Sequence, residues 1–131
     1  MTERYMVLGT SEEIYWIETE REDRVRAFKE AIGCEMLENV RTIIPDVCMI
    51  VDESGKVKAN PQLNNWRATG LYWGGLQPDT HFLTMLRYIT QGKDTIVGPV
   101  IFAAIHPVDG EPDWVPLNEL EIRRLKEYGI G

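Results

Sequence analysis

The sequence predicts one α+β domain, built on an antiparallel or mixed β-sheet with helices on one side. A chain of 131 residues is the length of one compact domain. Pairs of short β-rich runs are joined by short turns, which is typical of hairpins. Strands and helices alternate without the regular rhythm of parallel βαβ units. We therefore treat residues 1–131 as one domain and look for one site or one interface.

The N-terminal region predicts a hairpin followed by a helix. Residues 5–8 and 14–17 are β-rich and flank a five-residue connection. Thr19 and Glu22 have the spacing of a capping box, so we expect a helix to begin there. Its apolar face would carry residues at helical spacing, and Gly33 would end it in the left-handed conformation. That apolar face consists of Val25, Phe28 and Ile32.

The middle of the chain predicts a second hairpin and two helices. Residues 47–51, a turn at 52–55 and residues 56–57 indicate strand, turn and strand. Residues 60–69 form a turn that leads into a short helix, after which Gly70, Gly74 and Gly75 loosen the backbone. Residues 82–89 have helical apolar spacing, and Gly92 would stop that helix.

The C-terminal part predicts a central strand and a last helix. Residues 95–105 are too apolar for an exposed strand, and we expect a turn at residues 108–111. Asn118 and Glu121 form a second capping box, Leu117 and Ile122 fit a hydrophobic staple, and Gly129 would close the helix.

The charge argues against several classes of protein. The net charge of -7 has the wrong sign for broad contact with nucleic-acid phosphates. No uncharged run is long enough to span a membrane, and no secretory segment precedes the domain, so we expect a cytoplasmic protein with two reduced cysteines. Residues 41–110 are the charge-balanced part, with six acidic and six basic side chains. An anion is most easily held there.

Motifs for catalysis or metal binding are missing from the sequence. His81, His106 and the two cysteines lack the paired spacing of a zinc site, and no nucleophile elbow or phosphate loop is present. His81 and His106 are interpreted as surface and turn residues. Asp52 and Glu53 resemble a catalytic pair, but adjacent acids before Ser-Gly also suit a turn. We expect no enzyme activity, no metal and no cofactor.

Four ordered motifs carry a resemblance to a known family. They lie at residues 39–41, 49–57, 64–69 and 96–101, and the most specific are Asn-x-Arg-Ala-Thr and Ile-Val-Gly-x-Val. Over residues 33–119 the chain resembles the family catalogued as domain of unknown function 3846, which is common on phages, prophages and conjugative elements. Residues 74–93 are an insertion relative to that pattern. The resemblance implies a setting, since small proteins of mobile elements often act against host defence, as the Thoeris anti-defence sponges do.

A candidate ligand site lies within and beside these motifs. Arg67 and Arg41 are suited to phosphate, and flat rings with side-chain amides are suited to a base or ribose. The remaining candidates are Asn64, Asn65, Trp66, Tyr72 and Trp73. The same residues also fit a structural role, in which the aromatic rings pack in the core and the asparagines cap the helix. In that alternative Arg67 pairs with Asp52, and Arg41 forms a surface ion pair.

Two functions of different class follow from these observations. The first is a homodimeric or higher oligomeric binding protein that sequesters a small phosphate-containing signalling nucleotide without cleaving it, with no nucleic acid or membrane as partner. The alternative is an acidic inhibitor of a host nuclease or restriction system that mimics nucleic-acid charge. A nucleotide hydrolase is a third hypothesis, which no motif supports.

Overall fold

The computed structural model describes residues 2–54, 65–72 and 96–131. The chain order begins with a hairpin and a helix, continues through the sheet and ends on a helix. The elements are β1 (Thr2–Leu8), β2 (Ile14–Glu20), a 3-10 turn (Arg21–Asp23), α1 (Arg24–Ile32), β3 (Leu37–Arg41), β4 (Val47–Asp52), α2 (Trp66–Tyr72), β5 (Val100–Val108), β6 (Glu111–Val115) and α3 (Glu119–Glu127).

The six strands form one sheet in which every described pair is antiparallel. The order is β2-β1-β5-β4-β3, and β6 also pairs with β5. Both β1 and β6 pair with the edge of β5 that faces away from β4. Along that edge, β1 pairs with residues 100–102 of β5 and β6 pairs with residues 104–108. The apolar strand is therefore central, as its sequence predicts.

Helices cover both faces of the sheet, which corrects the expectation of one covered side. Alternate side chains of a strand point to opposite faces. Tyr5 and Val7 of β1 pack in one buried cluster with Phe28 and Ile32 of α1, and we call this side the α1 face. The opposite side is the α2–α3 face, whose cluster includes Met6, Leu8, Ala68, Leu71 and Leu125. The predicted α+β class and antiparallel sheet are confirmed.

Several local predictions are confirmed. The β1–β2 hairpin forms, and Gly33 ends α1 with a φ of 77°. The capping box of α3 is complete, because Asn118 Oδ1 accepts from Glu121 N at 2.8 Å and Glu121 Oε1 accepts from Asn118 N at 2.9 Å. None of the described helices is long and apolar enough to cross a membrane.

Two local predictions need correction, and two others lie outside the described residues. Thr19 lies in β2 and pairs with Glu3, so the strand ladder occupies the proposed cap, and α1 begins at Arg24 without a side-chain cap. The partners of β4 are β3 and β5, whereas residues 56–57 and the predicted helix at 82–89 lie outside the described residues. His106 belongs to β5, and its Nε2 lies 3.2 Å from Glu121 Oε2.

Candidate functional site

The start of α2 is fixed by the side chain of Asn65. This residue is 1% exposed. Its Nδ2 donates to the carbonyl oxygens of Leu8 and Gly98, each at 3.1 Å, while its Oδ1 accepts from Ala68 N at 3.2 Å. The helix is thus capped by Asn65, and the same amide joins the end of β1 to the segment that leads into β5.

A second set of hydrogen bonds locks this junction. The Asn65 backbone N donates to Ile96 O at 2.8 Å. Thr69 is fully buried; its hydroxyl donates to Asn65 O at 2.7 Å and accepts from Ile96 N at 2.9 Å. The amide of Asn65 therefore acts inside the protein, and its role is to position α2 rather than to contact a ligand.

Arg67 lies in the first turn of α2, at the protein surface. Its Nε donates to Glu12 Oε1 at 2.8 Å, and the two side chains are 26% and 59% exposed. Glu12 belongs to the β1–β2 turn, where its backbone has a φ of 67°. Arg67, which is predicted to bind phosphate, therefore lies next to the solvent-exposed carboxylate of Glu12. Both residues lie beside the junction that Asn65 fixes.

The predicted site also includes three aromatic residues and Asn64. Trp66 and Tyr72 are the first and last residues of α2. Asn64 and Trp73 lie outside the described residues. Their contribution to a ligand site stays a prediction.

Arg41 and Arg67 lie on opposite faces of the sheet. It pairs with Cys48 at the end of β3, and the neighbouring Val40 packs against the α2–α3 cluster, so Arg41 belongs to the α1 face. Arg67 is carried by α2, which packs on the other face. The two arginines therefore do not converge on one ligand within one chain. Arg41 instead lines a cavity of about 360 Å³ beside the β3–β4 turn.

A network of ion pairs that no sequence motif indicates joins α1 to β6. Asp113 Oδ2 accepts from Arg21 Nη2 at 2.7 Å and from Arg24 Nη2 at 3.2 Å, and Arg21 Nη1 also lies 3.0 Å from Glu3 Oε2. Hydrogen bonds from Arg24 hold the pKa of Asp113 below its usual value. Since every charge in this group is paired, its arrangement is that of a structural clasp.

Tyr5 completes the clasp from the buried side. Its hydroxyl donates to Glu3 Oε1 at 2.8 Å, and burial, followed by the bond to Glu3, raises the pKa of Tyr5 well above its ordinary range. Its ring meets Phe28 edge-on at 4.8 Å between centroids, and Phe28 in turn packs against Trp114. No local spacing predicts this group, because its members come from four different elements.

The two cysteines are not joined by a disulfide. Cys48 is buried in the α1-face cluster, and burial raises the pKa of its thiol to about 12. Cys34 is partly exposed at the rim of an open groove of about 980 Å³ that runs along α1. Among the described residues, no three His, Cys, Asp or Glu side chains are grouped as metal ligands would be.

These features define an α+β domain with a six-stranded antiparallel sheet and a surface arginine fixed at a buried helix cap. The chain belongs to the family described as domain of unknown function 3846, whose model matches residues 3–128. The match extends the resemblance seen in the motifs to both ends of the fold. No curated protein and no solved structure matches the chain.

Proposed function

We propose that this protein binds a small nucleotide-derived signalling molecule and sequesters it without cleaving it. The observation that carries the proposal is the position of Arg67, two residues after the buried cap Asn65. A guanidinium presents donors in a planar fork that matches phosphate, and a side chain that is already oriented loses less entropy on binding. Arg67 stands on a fixed helix start in a charge-balanced part of the chain.

The Glu12 carboxylate competes with such a phosphate for the Arg67 guanidinium. This carboxylate accepts from Arg67 Nε at 2.8 Å, yet 59% of the Glu12 side chain is exposed to solvent. Surface ion pairs of this kind contribute only about 0–1 kcal/mol, so a phosphate that engages the fork can displace the carboxylate. We infer that Glu12 holds the guanidinium in place in the absence of ligand and turns away when a phosphate binds.

The acidic-inhibitor alternative has weaker support from the geometry. Nucleic-acid mimicry needs a field of uncompensated negative charge. Four carboxylates of the acidic N-terminal part each lie opposite an arginine, which reduces that field. These pairs are Glu3–Arg21, Glu12–Arg67, Glu18–Arg4 and Asp23–Arg26. We therefore favour the ligand-binding function.

The biological setting that we propose rests on the family resemblance. The resemblance implies a setting on phages and other mobile elements, so the sequestered molecule would be a host defence signal and the compartment the host cytoplasm. We also propose a homodimer, because a chain of 15.1 kDa has little room to enclose a nucleotide by itself. Light scattering at several protein concentrations measures that state directly.

The test is retention of intact ligand by the purified protein. The protein is incubated with a mixture of cyclic dinucleotides, cyclic trinucleotides and cyclic ADP-ribose isomers, washed by filtration and heat-denatured, and the released molecules are identified by mass spectrometry. We expect one compound to be released with its mass unchanged. The Arg67→Ala variant should lose it, whereas Arg41→Ala, on the opposite face, should retain it.

Two further variants separate charge from geometry at this site. Arg67→Lys keeps the positive charge but lacks the planar set of guanidinium donors, so we expect most of the affinity for the nucleotide to be lost. Glu12→Gln removes the competing carboxylate and should raise the affinity by roughly twofold to fivefold. Equal retention by the wild type and Arg67→Ala, with both folded by circular dichroism, would contradict the proposal. Salt-sensitive capture of a basic protein by both would favour the inhibitor alternative instead.

A further inference from the structure

The cavity beside Arg41 has the construction of a small binding site. It has a volume of about 360 Å³ and lies at the end of the sheet, between the β3–β4 turn and β5, where Ile105 belongs to the α1-face cluster and Ile44 and Val47 belong to the α2–α3-face cluster. Cavities that hold small molecules begin at about 300 Å³. We call it the Arg41 cavity; the lining residues that matter here are Arg41, Thr42, Ile44, Asp46, Val47 and Ile105.

The walls of the Arg41 cavity are fixed by hydrogen bonds. The Thr42 hydroxyl accepts from Ile44 N at 3.1 Å and donates to Val47 O at 2.9 Å, which closes the turn on itself. Ile105 N donates to Asp46 O at 2.8 Å, which ties the turn to β5. A ligand therefore meets a preformed cavity and does not have to order the turn, which lowers the entropy lost on binding.

The wall and rim of the cavity differ in polarity. Ile44 and Val47 are buried and apolar, and Ile105 adds a further aliphatic wall. Arg41 is exposed, and none of the ion pairs found within residues 2–54, 65–72 and 96–131 involves it. One guanidinium above an apolar pocket is complementary to a molecule with one anionic group and an apolar body.

The rim of the cavity also carries a negative charge, that of Asp46. Its side chain is exposed, and it lines the same cavity as Arg41. Its negative charge disfavours a second negative charge on the ligand, so a carboxylate is preferred to a doubly charged phosphate ester. The left-handed backbone of Asp46, with a φ of 64°, is an uncommon conformation for a residue other than glycine. The bond from Ile105 N holds the turn in this conformation.

We propose that the Arg41 cavity binds a small monocarboxylate with an apolar body, at a site separate from the Arg67 site. The carboxylate would pair with the Arg41 guanidinium, and the hydrocarbon would contact Ile44, Val47 and Ile105. This inference does not depend on the proposed sequestration of a nucleotide. The two sites use different arginines, Arg41 at the end of β3 and Arg67 in α2, so either can fail while the other stands.

The test is a titration of the ¹⁵N-labelled protein with hexanoate, followed by amide chemical shifts. We expect saturable shifts confined to the amides of residues 41–44, 46–48 and 105. Hexanol lacks the charge, and hexyl phosphate carries a second one, so both should bind more weakly. The Arg41→Gln variant should lose about tenfold in hexanoate affinity, the worth of one charge-assisted contact. Arg67→Gln is the matched control and should bind hexanoate like the wild type.

A second variant tests the selectivity argument. Asp46→Asn removes the negative charge from the cavity rim and should narrow the preference for hexanoate over hexyl phosphate. An acetylated dipeptide that ends in a free carboxyl group serves as a further probe. If the dipeptide binds and hexanoate does not, the ligand of the Arg41 cavity is the C-terminal carboxylate of a peptide. The inference is overturned if neither carboxylate shifts these amides, or if Arg41→Gln binds as tightly as the wild type.

Discussion

Replacing the buried cap Asn65 by alanine should destabilise the protein more than any surface substitution on α2. The side chain makes two long-range hydrogen bonds, to Leu8 O and Gly98 O, and one cap bond from Ala68 N. Losing a helix cap costs about 1 kcal/mol, and each net buried hydrogen bond contributes about 1 kcal/mol more. We expect the free energy of unfolding to fall by about 3 kcal/mol, a large part of the roughly 5–15 kcal/mol typical of a domain.

Urea denaturation followed by tryptophan fluorescence and by circular dichroism measures this loss. The midpoint should fall while the slope of the transition stays constant, and the melting temperature should drop by roughly 10 °C. Asn39→Ala is the matched control, because the Asn39 amide oxygen accepts one exposed bond, from Trp114 Nε1 at 3.0 Å. That variant should lose less than about 1 kcal/mol.

Aspartate at position 65 distinguishes the cap from the long-range bonds. Asn65→Asp keeps the acceptor for Ala68 N but places a carboxylate oxygen where Nδ2 donates to two carbonyls. Three oxygens would then face one another in a buried place, so Asn65→Asp should be at least as unstable as Asn65→Ala. A variant with aspartate as stable as the wild type would refute the view that Asn65 joins three segments of the chain.

Three further outcomes are expected. Asp113→Asn should lower the free energy of unfolding at pH 7. Arg24 holds the pKa of Asp113 below its ordinary value of 3.8, and the stabilisation that Asp113 provides is lost when its carboxylate is protonated, so the difference from the wild type should shrink below pH 3.8. A difference that stays constant down to pH 2 would contradict this. Gly33→Ala should cost about 1 kcal/mol in thermal unfolding, because a φ of 77° strains alanine although a Cβ there meets no atom within 4 Å. A disulfide reagent at pH 8 should modify Cys34 first and Cys48 only on unfolding, since burial raises the pKa of Cys48 to about 12; rapid modification of both in the folded protein would count against it.

Elements with a strong local signal could be predicted from the sequence. The capping box of α3 needs only Asn118 and Glu121, three residues apart, and the central position of β5 follows from its unbroken apolar run. The strand β3 has no such signal. It is an edge strand with exposed side chains, including Glu38 and Asn39, and its pairing with β4 supplies the stability that its own residues do not show.

Long-range contacts explain most of what the sequence could not predict. Local spacing favours a cap role for Asn65 as one of two interpretations, but it does not predict the bonds to Leu8 and Gly98, which join residues 57 and 33 positions apart. The clasp around Asp113 joins residues about 90 positions apart. The sequence predicts helices on one side of the sheet only, because amphipathic spacing shows which face of a helix is buried but not against which face of the sheet it packs.

The separation of Arg41 from Arg67 decides how the two arginines act together. Effects of substitutions at distant sites without shared partners add, whereas those at one site do not. The fold carries these arginines on opposite faces of the sheet, so one chain cannot close both on a single ligand. Losses of nucleotide affinity in Arg41→Ala and Arg67→Ala should therefore be independent, and the first should be close to zero. A strong coupling between them would require the two side chains to come from different copies of the chain, with the ligand bound between protomers.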